Sequence, residues 1–264
     1  MYSAVPVPST GRLTFGTWQI GGARFGHVSN DDALALLRDA MNAGISQFDT
    51  SNVYGNGRGQ VLLGHAMSER PREQFRVTAK LGYITGFDGF QDVIGELPQE
   101  FSPDRLRAGL EETLVRLNTE YVDDLLLHDA PSTVIQDEKI WKVLRSFVEE
   151  GLARTIGVST VPKKVEISLA QGAECVQIPV FMGQQMPRRD EALAVCARHG
   201  TRVMARSVLQ GGRLLADCRP ADVPDRIRVL FDYAWSQAGV TTVVVGFTSP
   251  AEVRQLLALA KAQA

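Results

Sequence analysis

Short apolar runs and longer amphipathic stretches alternate along the chain from one end to the other. Eight runs read as strands: Leu13–Trp18, Ile45–Asp49, Phe75–Lys80, Val122–Leu127, Arg154–Val158, Cys175–Pro179, Arg202–Arg206 and Thr242–Gly246. Each is short, often β-branched, and bounded by turn residues. Continuous apolar runs without strict alternation suit strands covered on both faces, as in a parallel sheet. Between them the apolar positions recur at helical spacing. Asn30–Ala43 opens on Asn-Asp-Asp, aligns Ala33, Leu36, Leu37, Ala40 and Met41 on one face, and stops at Gly44. Ser102-Pro103 starts the next long helix, with Leu106, Leu110, Thr113, Leu114 and Leu117 as its inward stripe. Asp137–Glu150, Arg188–His199 and Val223–Ala238 follow the same logic, with Gly151 and Gly200 as stops. Ser249–Lys261 starts Ser-Pro and presents Val253, Leu256, Leu257 and Ala260.

Roughly eight βα units in 264 residues predict an α/β chain folded as a single closed (β/α)8 barrel, with an open doubly wound sheet as the rival. No linker, low-complexity tract or composition break divides the chain, so residues 1–264 read as one domain. Gly82–Phe101 is the longest irregular stretch and carries Tyr83, Phe87, Phe90 and Phe101. It follows a strand end, where barrel enzymes place substrate loops, or it packs over the barrel rim.

Composition narrows the function. With 44% apolar residues, 22% charged residues and a net charge of −2, the chain reads as a globular protein without broad attraction to nucleic acid or anionic lipid. The basic pairs Arg188-Arg189 and Lys163-Lys164 read as solvated surface. Cys175, Cys196 and Cys218 form no C-x-x-C pair and have no histidine at metal-ligand spacing, so buried reduced thiols and no metal are expected. The first residues lack a basic start and a continuous apolar core, and no apolar stretch approaches about 20 residues. The expected location is cytoplasmic.

Asp49, Tyr54, Lys80 and His128 each stand at or just beyond the end of a strand-like run. Singly, a strand-end aspartate caps a turn, and a histidine after Leu-Leu-Leu sits on a rim. In a barrel, however, all strand ends face one mouth, and four dispersed positions converge there. A carboxylate, a phenol, an amine and an imidazole are parts suited to donating a proton to a carbonyl. A free tyrosine, with a pKa of about 10, is a poor acid near neutrality. A neighbouring ammonium is expected to lower that value, and a carboxylate to hold the ammonium. Gly55-Asn56-Gly57-Arg58-Gly59 fails the dinucleotide-loop spacing, since Gln60 and Leu62 stand where glycine is required. It reads as a turn shaping the loop around Tyr54. His27, His65 and His199 read as surface or packing residues, and no G-x-S-x-G, P-loop or H-E-x-x-H occurs.

The segments G-T-W, G-I-S-Q-F-D-T-S-N-V-Y-G-N-G, V-T-A-K, L-L-L-H-D-A-P, G-V-S-T, V-Q-I-P, A-R-S-V-L-Q-G-G and V-V-V-G-F-T-S-P-A-E-V closely resemble the aldo-keto reductases, from about Leu13 to Leu257. The resemblance implies that Tyr54 is the general acid, that Lys80 lowers its pKa, that Asp49 pairs with Lys80, and that His128 orients the carbonyl. It implies a nicotinamide cofactor, NADPH expected with NADH as the alternative. Ser159 and Gln177 would hold the carboxamide, and Gly16, Thr17 and Trp18 would line the ribose and pocket floor. Ser207, Leu209 and Gly211 would follow the pyrophosphate. Gly246, Phe247, Thr248 and Ser249 would meet an anion at a helix N-terminus. Arg206, Glu252, Arg254 and Gln255 complete the implied cofactor set.

The chain departs from the family pattern at several of these positions. Thr160 stands where an asparagine is usual, and Arg206 where an aromatic residue commonly stacks on the nicotinamide. A guanidinium plane can stack too, and favours the neutral reduced ring. Glu252 stands where many members use arginine for the 2′-phosphate, and Leu256 replaces an asparagine that commonly reads adenine. Arg254 either compensates or is simply solvated. Little chain follows the last helix, so the resemblance implies a mouth without the closing loop of longer members, open to bulky substrates. The implied activity is reduction of an aldehyde or ketone, with a small-molecule carbonyl as partner and a monomer or weak homo-oligomer. The alternatives are a sugar or alcohol dehydrogenase or epimerase, and a cofactor-binding barrel with little turnover.

Overall fold

Eight parallel strands pair in chain order and close on themselves: β1 (Leu13–Gly16), β2 (Gln47–Asp49), β3 (Arg76–Leu81), β4 (Val122–His128), β5 (Ala153–Ser159), β6 (Cys175–Pro179), β7 (Arg202–Arg206) and β8 (Val240–Val245). β8 returns to β1 with Leu13 opposite Val243, which closes the barrel predicted from the alternation of elements. The computed structural model describes residues 11–22, 26–86, 97–183 and 188–261, so Phe87 and Phe90 lie outside the described residues.

The helices that follow the strands are α1 (Asn30–Ala43), α2 (Arg58–Met67), α3 (Pro103–Leu117), α4 (Glu138–Glu149), α5 (Val165–Ala170), α6 (Arg189–His199), α7 (Val223–Trp235) and α8 (Pro250–Lys261). Their local causes are visible. Ser29 accepts a hydrogen bond from Asp32 N at 3.1 Å to start α1, and Gly44, at φ +106°, closes it in the left-handed region. The buried residues of α1, α3 and α8 are the apolar stripes read from the sequence. The one-turn helices Trp18–Gly21 and Ser132–Ile135, together with α5, are too short to show a period and were not foreseen.

Strand ends moved where pairing or turning decided them. The first strand stops at Gly16, not Trp18, because Trp18 already opens a helical turn. His128 is the last residue of β4, where it pairs with Ser159, rather than the residue after the strand. Gly246 lies beyond β8.

Period-two alternation sorts each strand between an apolar layer under the helices and the barrel interior. On β4, Leu125 and Leu127 join the large core, which also holds Trp141 and Phe147 of α4. Leu126 belongs to a separate interior cluster with Cys175 and Met204. The interior is therefore layered, as barrels of this type are. Asp124, Arg76, Thr155 and Arg202 form one end, Leu126, Cys175 and Met204 the middle, and Asp49, Lys80 and Gln177 the other end.

Of the basic residues read as solvated, one is buried and another is half-buried and bonded to the backbone. Arg189 is buried, donates from Nη1 to the Phe181 carbonyl at 3.1 Å and lies 5.5 Å from the Tyr233 ring. Lys164 donates to the Ala130 carbonyl at 2.8 Å. Cys175 and Cys196 are buried, and burial pushes their thiols up to about 12 and about 11. His27, His65 and His199 are exposed. Among the described residues, no helix is long and apolar enough to cross a membrane.

Candidate active site

β2, β3, β4, β5 and β6 bring five polar side chains to one end of the barrel. Lys80 is fully buried and donates to both carboxylate oxygens of Asp49, each at 2.6 Å. Gln177 crosses the interior from β6 and donates from Nε2 to Asp49 Oδ2 at 2.7 Å. Ser159 donates to Gln177 Oε1 at 2.9 Å. The result is a continuous chain, Ser159 to Gln177 to Asp49 to Lys80. The two residues assigned to a carboxamide are thus also part of the support for the lysine.

Tyr54 stands on the loop after β2. Its backbone approaches that of Gly21 so closely that the neighbouring Gly55, at φ +63°, could carry no side chain: a Cβ there would lie 1.8 Å from the Gly21 carbonyl oxygen. This turn, rather than a dinucleotide loop, is what the glycine-rich segment forms. The Tyr54 ring stacks on Trp18 at 5.9 Å between centroids and meets His128 edge-on at 6.3 Å. Lys80 Nζ lies 5.1 Å from the Tyr54 ring centroid. Tyr83 packs edge-on against His128 at 4.9 Å. Trp18, Val53, Tyr54, Tyr83 and Leu97 form the apolar wall of the mouth.

The electrostatics correct one expectation. Burial pushes the Tyr54 phenol well above its usual range, and the Asp49 carboxylate adds to the rise. Lys80 was expected to lower it. Burial and the Asp49 carboxylate instead dominate, opposed chiefly by the charge of Arg206. Burial also lowers the Lys80 ammonium, against the pull of Asp49. Burial, with the charges of Lys80 and Arg206, holds His128 far below its usual value, so its imidazole is neutral. The mouth therefore offers a protonated phenol and a neutral imidazole.

Among the described residues, three buried polar atoms lack a partner: Thr160 Oγ1, Arg206 Nε and Gln255 Nε2. Buried polar groups are almost always paired. Thr160 follows β5 and Arg206 ends β7, both at the mouth. Arg206 is otherwise held loosely, at 3.3 Å from the Thr160 carbonyl and 3.6 Å from Asp129 Oδ1. These unsatisfied donors fit a polar ligand such as a nicotinamide dinucleotide.

Other sequence-assigned positions behave differently. Gly16 is buried at the end of β1, and Thr17 spends its hydroxyl on Thr50 Oγ1 at 2.9 Å. Phe247 is fully buried and turns its ring into the core, 5.0 Å from Phe15. Leu256 is buried in the core and reads nothing. Ser207 and Gly211 are exposed on the loop after β7, with Leu209 partly buried between them. Arg254 is exposed on α8. The helix N-terminus expected to bind an anion is capped by the chain itself. The Glu252 carboxylate accepts from Thr248 N at 2.7 Å and from Thr248 Oγ1 at 3.1 Å, while Ser249 Oγ accepts from Glu252 N at 3.4 Å. This is a variant of the Ser-x-x-Glu capping box, legible in S-P-A-E but not read as one. Sequence reasoning also missed Gln19, whose side chain fills the space a Cβ on Gly246 would need, and Ser51, 3.1 Å from His128 Nδ1.

Comparison with known proteins gives the family and the fold. The aldo/keto reductase family model matches residues 12–228. D-threo-aldose 1-dehydrogenase of a Pseudomonas species is 27% identical over 97% of this chain and 92% of its own length. The NADH-specific methylglyoxal reductase of Escherichia coli K12 is 27% identical over 82% of this chain and 69% of its own. The chain spans only 41% and 42% of the length of two other curated relatives, from Glycine max and Arabidopsis thaliana. The holo form of an aldo-keto reductase from Bacillus halodurans superimposes with a TM-score of 0.78 at 20% identity, over 94% of this chain and 86% of that one, which speaks to the fold.

Proposed function

The chain belongs to the aldo/keto reductase family, and we propose that it reduces a small aldehyde or ketone to the alcohol with a nicotinamide dinucleotide. The observation that carries this reading is the buried Ser159–Gln177–Asp49–Lys80 chain beside Tyr54 and His128 at one mouth. Among the described residues, Thr160, Arg206 and Gln255 keep unspent buried polar atoms for the cofactor, and Trp18 stands in the wall of the mouth. When bound, a reduced nicotinamide supplies a hydride to the carbonyl carbon.

Tyr54 delivers its phenolic proton to the carbonyl oxygen. A phenol held protonated by burial is available as a donor at any working pH, and its weakness as an acid is offset only as negative charge develops on the substrate oxygen. The Lys80 ammonium, held by Asp49 near the Tyr54 ring, stabilises the phenolate left behind until solvent returns a proton. His128, neutral and wedged by Tyr83, orients the carbonyl. The ring of Trp18 and the wall of Val53 and Tyr83 exclude water from the transfer.

Glu252 shapes the cofactor preference. Its carboxylate sits on Thr248 at the start of α8, where a 2′-phosphate would meet both its charge and a spent helix N-terminus. That favours NADH over the NADPH expected from the family resemblance. The relative named as an aldose 1-dehydrogenase covers nearly the whole chain, so NAD-linked oxidation of a sugar is the second reading. Parallel titration with NADH and NADPH, followed by tryptophan quenching, tests the preference: tighter NADH binding is expected, and tighter NADPH binding would overturn it. NADH oxidation with methylglyoxal, set against NAD reduction with an aldose, decides between the two directions.

A further inference from the structure

Ser51 has a single proton and two acceptors. Its Oγ lies 3.1 Å from His128 Nδ1 and 3.3 Å from Asn52 Oδ1. The Asn52 amide is oriented from its other side, because Nδ2 donates to the Tyr83 carbonyl at 2.8 Å. His128 is fixed as a body: Gln99 donates to its carbonyl at 2.8 Å and Tyr83 packs on its ring. What remains to be set is which ring nitrogen carries the hydrogen.

The two settings are chemically opposite. If the serine hydroxyl donates to Nδ1, the neutral ring carries its hydrogen on Nε2 and can donate to a carbonyl oxygen. If the hydroxyl donates to Asn52, the ring donates from Nδ1 to Ser51, and Nε2 can only accept. The shorter contact and the more basic acceptor both favour the first setting. We propose that Ser51 is a positioning residue whose hydroxyl donates to His128 Nδ1 and holds the imidazole in its Nε2–H form, ready to donate to the substrate carbonyl. The catalytic part of this inference rests on the carbonyl-reductase reading; the tautomer does not.

The test uses the whole protein labelled with 15N-histidine, with the His128 signals assigned by their loss in H128Q. Long-range proton–nitrogen correlation should find hydrogen on Nε2 in the wild type and a mixture of tautomers in S51A. Hydrogen on Nδ1 in the wild type would overturn the proposal, and this result does not depend on S51A folding. In parallel, S51A should lower kcat/KM for a small aldehyde about 10-fold, with cofactor affinity unchanged, and S51T should restore it to within about 3-fold. An S51A enzyme with wild-type tautomer and wild-type kcat/KM would refute the role. A Ser51-dependent tautomer in a protein that turns over no carbonyl compound would uphold the positioning and sink the reductase reading instead.

Discussion

Asp124 and Asp49 are both buried carboxylates inside the same barrel, one at each end, and their surroundings are completed to different degrees. Asp124 accepts a two-point fork from Arg76, at 3.0 and 2.6 Å, and further bonds from Thr78 at 3.1 Å, Thr155 at 2.5 Å and Arg202. Burial alone would raise its carboxyl, but Arg202 and Arg76 with these hydrogen bonds hold it below the usual range. Every lone pair is spoken for. Asp49 has one cation, Lys80, and one amide, Gln177. Around it stand groups driven toward neutrality, Tyr54 and His128, and the unpartnered atoms of Thr160 and Arg206. The closed network holds a shape; the open one keeps donors unspent, as the proposed ligand binding and proton transfer require. This matches the division of a barrel into a stability face and a reactive face.

The sharpest way to break the comparison is by activity. Y54F should lower kcat/KM by about 10²–10⁴-fold with folding intact. D124N should change it less than about 3-fold, as expected of a group with no reach to the mouth. A D124N enzyme as crippled as Y54F would mean that the two ends are coupled.

Stability comes next. K80M strands a buried carboxylate and should cost about 3–5 kcal/mol in urea unfolding. D124N should cost less, about 1.5–3 kcal/mol, because the Arg76 and Arg202 side chains are each 29% exposed and regain water. Reversal of that order would show that the mouth, not the opposite end, is the better satisfied.

The smallest effect is in acid. The folded carboxyl of Asp124 lies below its unfolded value of about 3.9. Its contribution is therefore full above that value and lost as pH falls through the lower folded value. Melting temperature against pH should fall less steeply below about pH 4 in D124N than in the wild type. An unchanged slope would mean that other carboxylates carry the acid limb.

Much of this was legible along the chain. The stripes Leu106–Leu110–Leu114–Leu117 and Val253–Leu256–Leu257 became buried helix faces, because helical periodicity is a local property. Asp49, Tyr54, Lys80 and His128 could be picked out because each ends a strand-like run, and parallel strands in a closed barrel place such ends together. The alternation Arg76-Thr78-Lys80 was also there to be read, as polar residues at every second position within an otherwise apolar run. Its meaning needed the closed barrel, in which these positions turn inward and meet partners from other strands.

The sequence by itself determined the kinds of element, their order, their apolar faces and the residue types gathered at the mouth, since these depend on spacing and on the chemistry of each side chain. Tertiary structure alone decided the states of those residues. Tyr54 rises rather than falls because the closed barrel buries its phenol and sets the Asp49 carboxylate near it. Glu252 became a cap because Thr248 turns its N–H toward α8. Ser51 met His128 across 77 residues of chain because β2 and β4 end at the same mouth. Burial, net field and through-space partners are properties of positions in space, and no spacing along a chain encodes them before the barrel closes.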